Sequence, residues 1–483
     1  MERLRILPSK FEILIKPVAF AILISGAVAL HTVHAQNGEG QAASNAQSSW
    51  KAWERVSDDQ AWALLPDIAE GEKQPLPNWI KPVVLQMPRT AAAMLELDTA
   101  FRNDGPLDAA LRAKLRWIVA HANRCEYGEA LSLADLRRAQ GDKVKLDELT
   151  GDPAAWPAAD ADEFEFARVL TVAGPTVPDA LFERLRVKHG DRGVAAMVLL
   201  TAYGNFQDRL LLGLNVPLEK NGPYPPLSIK FGEGALQVTP LIPSDNGVAS
   251  YDENGEAVTP RDKAWTALTY DQLQLKLEKQ RDLKPRLPVP SWDEVKHKLP
   301  EAMAVRPTSI RWSLVNYGYA AELAIPWTLM TRTHWAEFPS NRIFEESLFW
   351  VQTRAVECNY CMGHCEMLLE VAGLDKDAVA KRTRLLADTD WANFPPPEQR
   401  AYAFARKLSL TPQALTSADY QSLEKDFGPK QAMSVFLWLC RGLYMTRISD
   451  GFQLPLEREN VFGPGSPAKE DKNEDAARRY PKS

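Results

Sequence analysis

The sequence predicts an all-α protein built from two copies of one helical unit, and three observations carry that prediction. Leu and Ala recur at three- to four-residue intervals through both halves, the halves match one another in sequence, and helix-starting and helix-stopping residues flank the periodic runs. No alternation of polar and apolar residues within either copy competes with helix.

Residues 1–35 read as an export signal. Arg3, Arg5, Lys10 and Lys16 precede the 14-residue apolar run from Pro17 to Leu30, and Val33 to Ala35 supply small residues at the cleavage positions. That run is short of the ~20 residues a spanning helix needs, so cleavage near Gln36 is expected rather than a membrane anchor. The first cysteine is Cys125, which excludes a lipid anchor on an N-terminal cysteine, and no later segment is apolar enough to span a bilayer. The expected location is periplasmic or secreted. Residues 36–75 are assigned to a linker and N-terminal extension, beginning with the small, polar "QNGEGQAASNAQSS".

The first copy is placed at 76–220. In it, Pro106 to Asp142 reads as two consecutive helices, with Asp108 as N-cap, a junction near Asn123-Arg124-Cys125, and Gly141 as a stop. The second copy is placed at 306–460. Leu115 to Tyr127 and Leu348 to Tyr360 share Leu, Trp, Ala, Cys and Tyr at identical offsets. Phe166 to Glu219 aligns on Phe404 to Glu457 with 14 identities in 54 positions, where unrelated sequences would give roughly three or four. Within the second copy Ser417 is read as a cap, Gly428 and Pro429 as a restart, and the nearly all-apolar helix that follows as central to its bundle. Between the copies, 221–305 is rich in Pro and Gly. A helix is expected around "DQLQLKLEKQ" and a short hairpin across "SIKFGEGALQV", with the whole segment wrapping the helical body or covering a site. The tail, 461–483, is expected to be disordered.

A net charge of -6 without a long basic block offers no footprint for a nucleic-acid backbone. The chemistry concentrates in "VECNYCMGHCEM", where three of the five cysteines and one of the seven histidines fall within eight residues. At ~100° per helical residue, Cys358, Cys361, His364 and Cys365 share an arc of about 120°. A C-x-x-C at a helix start lowers a thiol pKa through free amides and the helix dipole, and its i, i+3 spacing can close a disulfide. A histidine one turn onward can move protons. Other readings of the residues stay open: a static disulfide, which an oxidising compartment permits, and a zinc site, for which one helical face and no second C-x-x-C supply too few directions. Cys125 and Cys440, each alone in an apolar helix, are read as buried packing residues.

These residues resemble the carboxymuconolactone decarboxylase family in its alkylhydroperoxidase D-like branch. Its signature is a Glu, a C-x-x-C twelve residues later, and a His four residues beyond the second Cys; "PLDAALRAKLRWIVAHANRCEYGEA" and the stretch from Leu415 to Glu457 share its general texture. The resemblance implies two fused helical repeats forming a pseudo-dimer, and a thiol-dependent peroxidase with no cofactor and no metal. Cys361 would be the attacking thiol, Cys358 its partner and Glu346 the proton-relay carboxylate. Its partners would be a peroxide and an external dithiol reductant; a homo-oligomer is left open. The sequence departs from the pattern at the histidine, where Cys365 stands and His364 comes one residue early. His364 is therefore expected to share proton transfers with Glu346, and Cys365 to serve as a reserve resolving thiol. The first copy has lost the site, with Gly128, Ala113 and Ser132 at the positions of the second cysteine, glutamate and histidine. The alternatives are a thiol-disulfide oxidoreductase that never meets peroxide and a non-catalytic scaffold with a fixed disulfide. Expressed with its leader in an exporting host, the chain should yield a mature N-terminus at or near Gln36 on Edman sequencing; an intact Met1 in the exported fraction would refute the cleavage.

Overall fold

Helix caps decide where this chain turns. In the computed structural model, which describes residues 53–141, 149, 151–239, 263–388 and 391–463, Asp108 accepts a hydrogen bond from the Leu111 amide and starts helix α4 (Ala109–Asn123). That helix ends where Arg124 adopts a left-handed φ of 57° and the Cys125 amide bonds back to Ala120 O at 2.9 Å. Helix α5 (Glu126–Gln140) then begins with Cys125 as its N-cap and stops at Gly141. The same construction recurs later. Asn341 accepts from the Phe344 amide at the start of α13 (Arg342–Ala355), Glu357 turns left-handed at φ 60°, the Cys358 amide bonds to Thr353 O at 2.9 Å, and Cys358 is the N-cap of α14 (Asn359–Val371). A left-handed residue with a side chain costs roughly 1–2 kcal/mol, so two such turns at corresponding places mark a geometry that the packing around them enforces.

The helices run in the same order in both halves. After the short α1 (Asp58–Leu64), α2 (Lys81–Gln86) breaks at Met87 (φ -144°, ψ 69°) before α3 (Pro88–Asn103). The long α12 (Arg311–Glu337) breaks likewise at Ala320 (φ -144°, ψ 54°). Helix α6 (Ala161–Ala173) corresponds in position to α16 (Pro396–Leu410). Helix α7 (Asp179–Gly213) is interrupted at Gly190 (φ 69°, ψ 174°), as α17 (Ser417–Phe427) and α18 (Pro429–Phe452) are separated at Gly428 (φ 75°, ψ 163°). Those two glycines adopt positive φ, which favours a residue without Cβ. Helix α15 (Lys376–Ala387) belongs to the second half; residues 142–148, at the corresponding place in the first, lie outside the described residues, as do the signal segment and the tail beyond 463.

Helices α7 and α18 pack along each other through contacts that run both ways. A Cβ on Gly451 would sit 2.7 Å from Val198 and 3.3 Å from Leu170, and a Cβ on Gly213 would strike Phe436 and Leu408. Arg209 Nη2 donates to Ser409 O at 3.4 Å, and Arg447 Nη2 to Thr171 O at 3.0 Å. Around this axis lie the largest buried side chains, among them Trp438, Tyr203 and Tyr444, with Trp327 stacked on Tyr444 at 3.5 Å. Among the described residues no helix is long and apolar enough to cross a membrane.

The segment between the halves wraps the second one, through α8 (Lys263–Thr266), α9 (Tyr270–Arg281), α10 (Trp292–Val295) and α11 (Glu301–Ala304). Helix α9 lies over α14: Gln274 donates to Glu366 at 2.9 Å, and Gln280 both donates to Leu454 O at 2.7 Å and accepts from the Leu456 amide at 3.1 Å. The buried Arg286 guanidinium donates to Asp450 O at 2.8 Å and Gly451 O at 3.0 Å. Two expectations need correction. The hairpin at 228–238 does not form: β2 (Lys230–Phe231) pairs antiparallel with β1 (Ile68–Glu70), whose edge is nearer than any return of its own chain. Thr416, rather than Ser417, is the N-cap of α17, because its side chain completes a capping box with Asp419. Gly451→Val should cost about 1–3 kcal/mol by overpacking the α7–α18 contact, read as a fall in the urea midpoint; unchanged stability would show that the contact has slack.

Candidate thiol redox site

The left-handed turn at Glu357 delivers both cysteines of the pair to the first turn of α14, where backbone amides lack partners within the helix. Cys358 is fully buried and Cys361 is 4% exposed, so the second thiol is the one nearer solvent. All five cysteines are free thiols. Cys361 Sγ lies 3.2 Å from Ser449 Oγ, whose hydroxyl also donates to Met445 O at 2.9 Å. A serine hydroxyl has one proton, so while it serves Met445 it can only accept from Cys361. Rotation of Ser449 would turn the same group into a donor for a thiolate.

Cys358 Sγ donates to Thr446 O at 3.8 Å and also meets the Asp450 carboxyl. Burial, then the Cys361 thiol and Asp450, push the Cys358 thiol well above its ordinary range, with the Cys361 amide working the other way. Asp450 is itself raised from 3.8 to about 7 by burial, against the opposing pull of Arg447. Sequence reasoning missed Asp450 and Ser449, which stand almost ninety residues away on α18. The signal available was Arg447 and Asp450 standing inside an otherwise apolar helix.

The remaining expected residues separate into two further groups. Glu346 is fully buried, and burial raises it from 4.5 to about 7 while the Arg342 guanidinium, 2.7 Å away, opposes the shift. Its other partner is the Cys365 thiol, which burial and then Glu346 hold well above the usual range. His364 turns elsewhere, its Nε2 lying 2.7 Å from Glu457 Oε2 and its ring against Tyr360 and Phe462. Burial alone would raise Glu457, but the charge and hydrogen bond of His364, with Arg311, outweigh it and hold the carboxyl below its ordinary value.

The single shared face drawn from helical spacing therefore needs correction. Cys358 is an N-cap outside the helix proper, and His364 pairs with Glu457 rather than joining Glu346 in one relay. Glu457 also accepts from the Tyr360 hydroxyl at 3.0 Å and the Arg311 amide at 2.9 Å. In the first half Glu219 accepts from Tyr127 at 2.6 Å and the Asn78 amide at 2.7 Å. The tyrosine–glutamate clamp thus recurs in both halves, and the second adds His364 to it. Gly128 has no space for the missing cysteine, since its Cβ would meet Asp208 at 2.6 Å and Arg116 at 3.0 Å. Among the described residues no group of three or more His, Cys, Asp or Glu is placed to hold a metal ion.

The raised carboxyls set a pH dependence. With folded values near 7 for Glu346 and Asp450 against about 4 unfolded, the native state binds more protons than the unfolded chain between about pH 4 and 7. Their contribution is greatest below about pH 4 and falls as pH rises through 7. Asp450→Asn removes its share of that fall, so the variant should gain on wild type by about 1–3 kcal/mol between roughly pH 5 and pH 8. Urea titrations at the two pH values test this; a constant difference would mean that Asp450 titrates normally.

No family model and no curated protein matches this chain.

Proposed function

We propose that the chain is an exported thiol peroxidase of the alkylhydroperoxidase D-like kind, within the carboxymuconolactone decarboxylase family, made of two fused repeats that pack as a pseudo-dimer. The duplication is supported by the recurrence of both left-handed turns, both helix breaks and both tyrosine–glutamate clamps. The pseudo-dimer is supported by reciprocity. Gly213 meets Phe436 and Leu408 as Gly451 meets Val198 and Leu170, and Arg209 reaches Ser409 O as Arg447 reaches Thr171 O, which is what a two-fold axis between α7 and α18 requires.

The observation that carries the chemistry is the pair of adjacent thiols at the start of α14, the outer one beside a reversible hydroxyl and the inner one beside a carboxyl that titrates near 7. Cys361 loses its proton and its thiolate attacks one peroxide oxygen. The O–O bond breaks, the alcohol or water leaves with a proton, and Cys361 becomes a sulfenic acid. Asp450 takes the Cys358 proton, Cys358 sulfur attacks the sulfenic sulfur, and hydroxide leaves as water, closing the disulfide. An external dithiol returns two electrons and two protons. His364 serves as proton carrier against Glu457, and Glu346 holds Cys365 one turn behind the pair.

The 4% exposure of Cys361 favours a small oxidant over a protein disulfide, which needs a broad approach to sulfur. A fixed disulfide in a scaffold remains the contrasting reading, and resistance of the folded protein to mild reductant would favour it. Cys361→Ser should abolish peroxide consumption with dithiol, whereas Cys358→Ser should consume about one equivalent and stall as a sulfenic acid or a pairing with Cys365. Peroxide consumption and peptide mapping measure both; wild-type turnover in Cys361→Ser would refute the proposal.

A further inference from the structure

A cavity in the first half lies apart from the thiols. Helices α3, α4, α5 and α7 enclose a cavity of about 190 Å³ on which four arginines converge, Arg102, Arg112, Arg116 and Arg138. Its other walls include Phe101, Ala113, Leu131 and Leu200. The equivalent positions in the second half carry larger side chains. Where the first half has Arg102, Arg116 and Leu200, the second has Trp335, Phe349 and Trp438, and where the first has Ala109, the second has Arg342, packed over those two tryptophans at 4.9 and 5.5 Å. The first half has opened a hole and lined it with guanidinium groups.

Those groups are only partly neutralised. Arg102 is held by Asp98 at 2.9 Å and Asp135 at 2.7 Å, and Arg138 contacts the same Asp135. Asp98 is further occupied by Tyr203 at 2.8 Å and Gln207 at 3.0 Å. Arg116 pairs with buried Asp208 and accepts no further neutralisation from Gln207, which meets it at 3.1 Å; its Nη1 has no hydrogen-bond partner. Arg112 has only backbone carbonyls for its Nη groups, at Leu107, Asn103 and Arg102, and its Nε is buried without a partner. Four cations thus face three carboxylates, with Asp104 and Asp108 acting on Arg112 from exposed positions where solvent screens them. Burial lowers Arg112, and burial followed by repulsion from Arg102 brings Arg138 down to about 10, whereas at Arg116 burial is outweighed by Asp208, which raises it, so the shortage of negative charge falls on Arg112 and Arg138.

We propose that this cavity binds a small organic monocarboxylate, its carboxyl group on the Arg112, Arg116 and Arg138 cluster and its carbon body against Phe101, Leu131 and Leu200. Guanidinium groups match the planar carboxylate, the excess of one positive charge matches a monoanion, and the apolar wall favours an organic body over inorganic phosphate. The inference does not depend on the peroxidase reading, because none of these residues touches Cys358 or Cys361.

Calorimetric titration of the full chain with benzoate, hexanoate and inorganic phosphate tests it. One site per chain is expected for the monocarboxylates, with phosphate at least tenfold weaker. Arg138→Ala, at the rim and 40% exposed, should weaken carboxylate binding about tenfold while Asp135 keeps Arg102. Ala113→Met fills the cavity without altering charge and should abolish binding, with the ligand-free melting temperature unchanged in both variants. Carboxylates that fail to bind, that bind both variants as well as wild type, or that bind no better than phosphate would overturn the proposal.

Discussion

The close approach of α7 and α18 is the constraint on which the rest of this structure depends. Two glycines, Gly213 and Gly451, let the helices meet at a distance that a Cβ on either would prevent. That contact fixes the height of α18 against α14, and with it the positions of Thr446, Ser449 and Asp450 around the two cysteines. A further glycine, Gly442, brings α18 against Gln352 and Phe349 of α13, so the helix that carries Glu346 is referenced to the same axis. The site is therefore held by packing between helices distant in sequence as well as by the turn at Glu357 that starts α14.

Such a site carries an electrostatic cost. Glu346, Asp450, Arg441 and Arg447 are all buried, and burial shifts each toward its neutral form, bringing Arg441 down to about 9. Arg441 donates to His334 at 2.7 Å, and burial followed by that guanidinium keeps the histidine well below its ordinary value and hence a neutral acceptor. A carboxyl raised toward 7 is a stronger base toward the thiol beside it than an ordinary carboxylate, although burial holds that thiol higher still. On our reading this is the return on the destabilisation, and it separates the second half from the first, where Ala113 and Leu212 stand at the positions of Glu346 and Asp450 and the buried carboxylates include Asp98 and Asp208.

Much of the fold was legible in the sequence because it rests on local chemistry. Asp108 and Gly141 announce the ends of α4 and α5, and the helix expected around "DQLQLKLEKQ" is α9, placed over α14 as a covering segment. The hairpin failed because strand pairing is not local: Lys230 and Phe231 found an edge about 160 residues away. Thr416 displaced Ser417 by a single residue because the Thr416 amide and hydroxyl both donate to the Asp419 carboxylate.

For the candidate site the division is sharper. The residue types and spacing of Cys358, Cys361, Glu346, His364 and Cys365 are written in the sequence, as is the glycine, Gly128, that aligns with Cys361. Which of them touch was decided by tertiary structure. Helical periodicity gives a direction from the axis but says nothing of what stands opposite, and opposite His364 stands Glu457, ninety-three residues on. Ser449 and Asp450 face the thiols because α18 crosses there, and Cys365 takes Glu346 because both are closed off from water by the same layer. The sequence by itself determined the helices and the inventory of reactive groups. Their pairing, their burial and their proton affinities come from contacts between helices, whose energies depend on separation in space rather than along the chain.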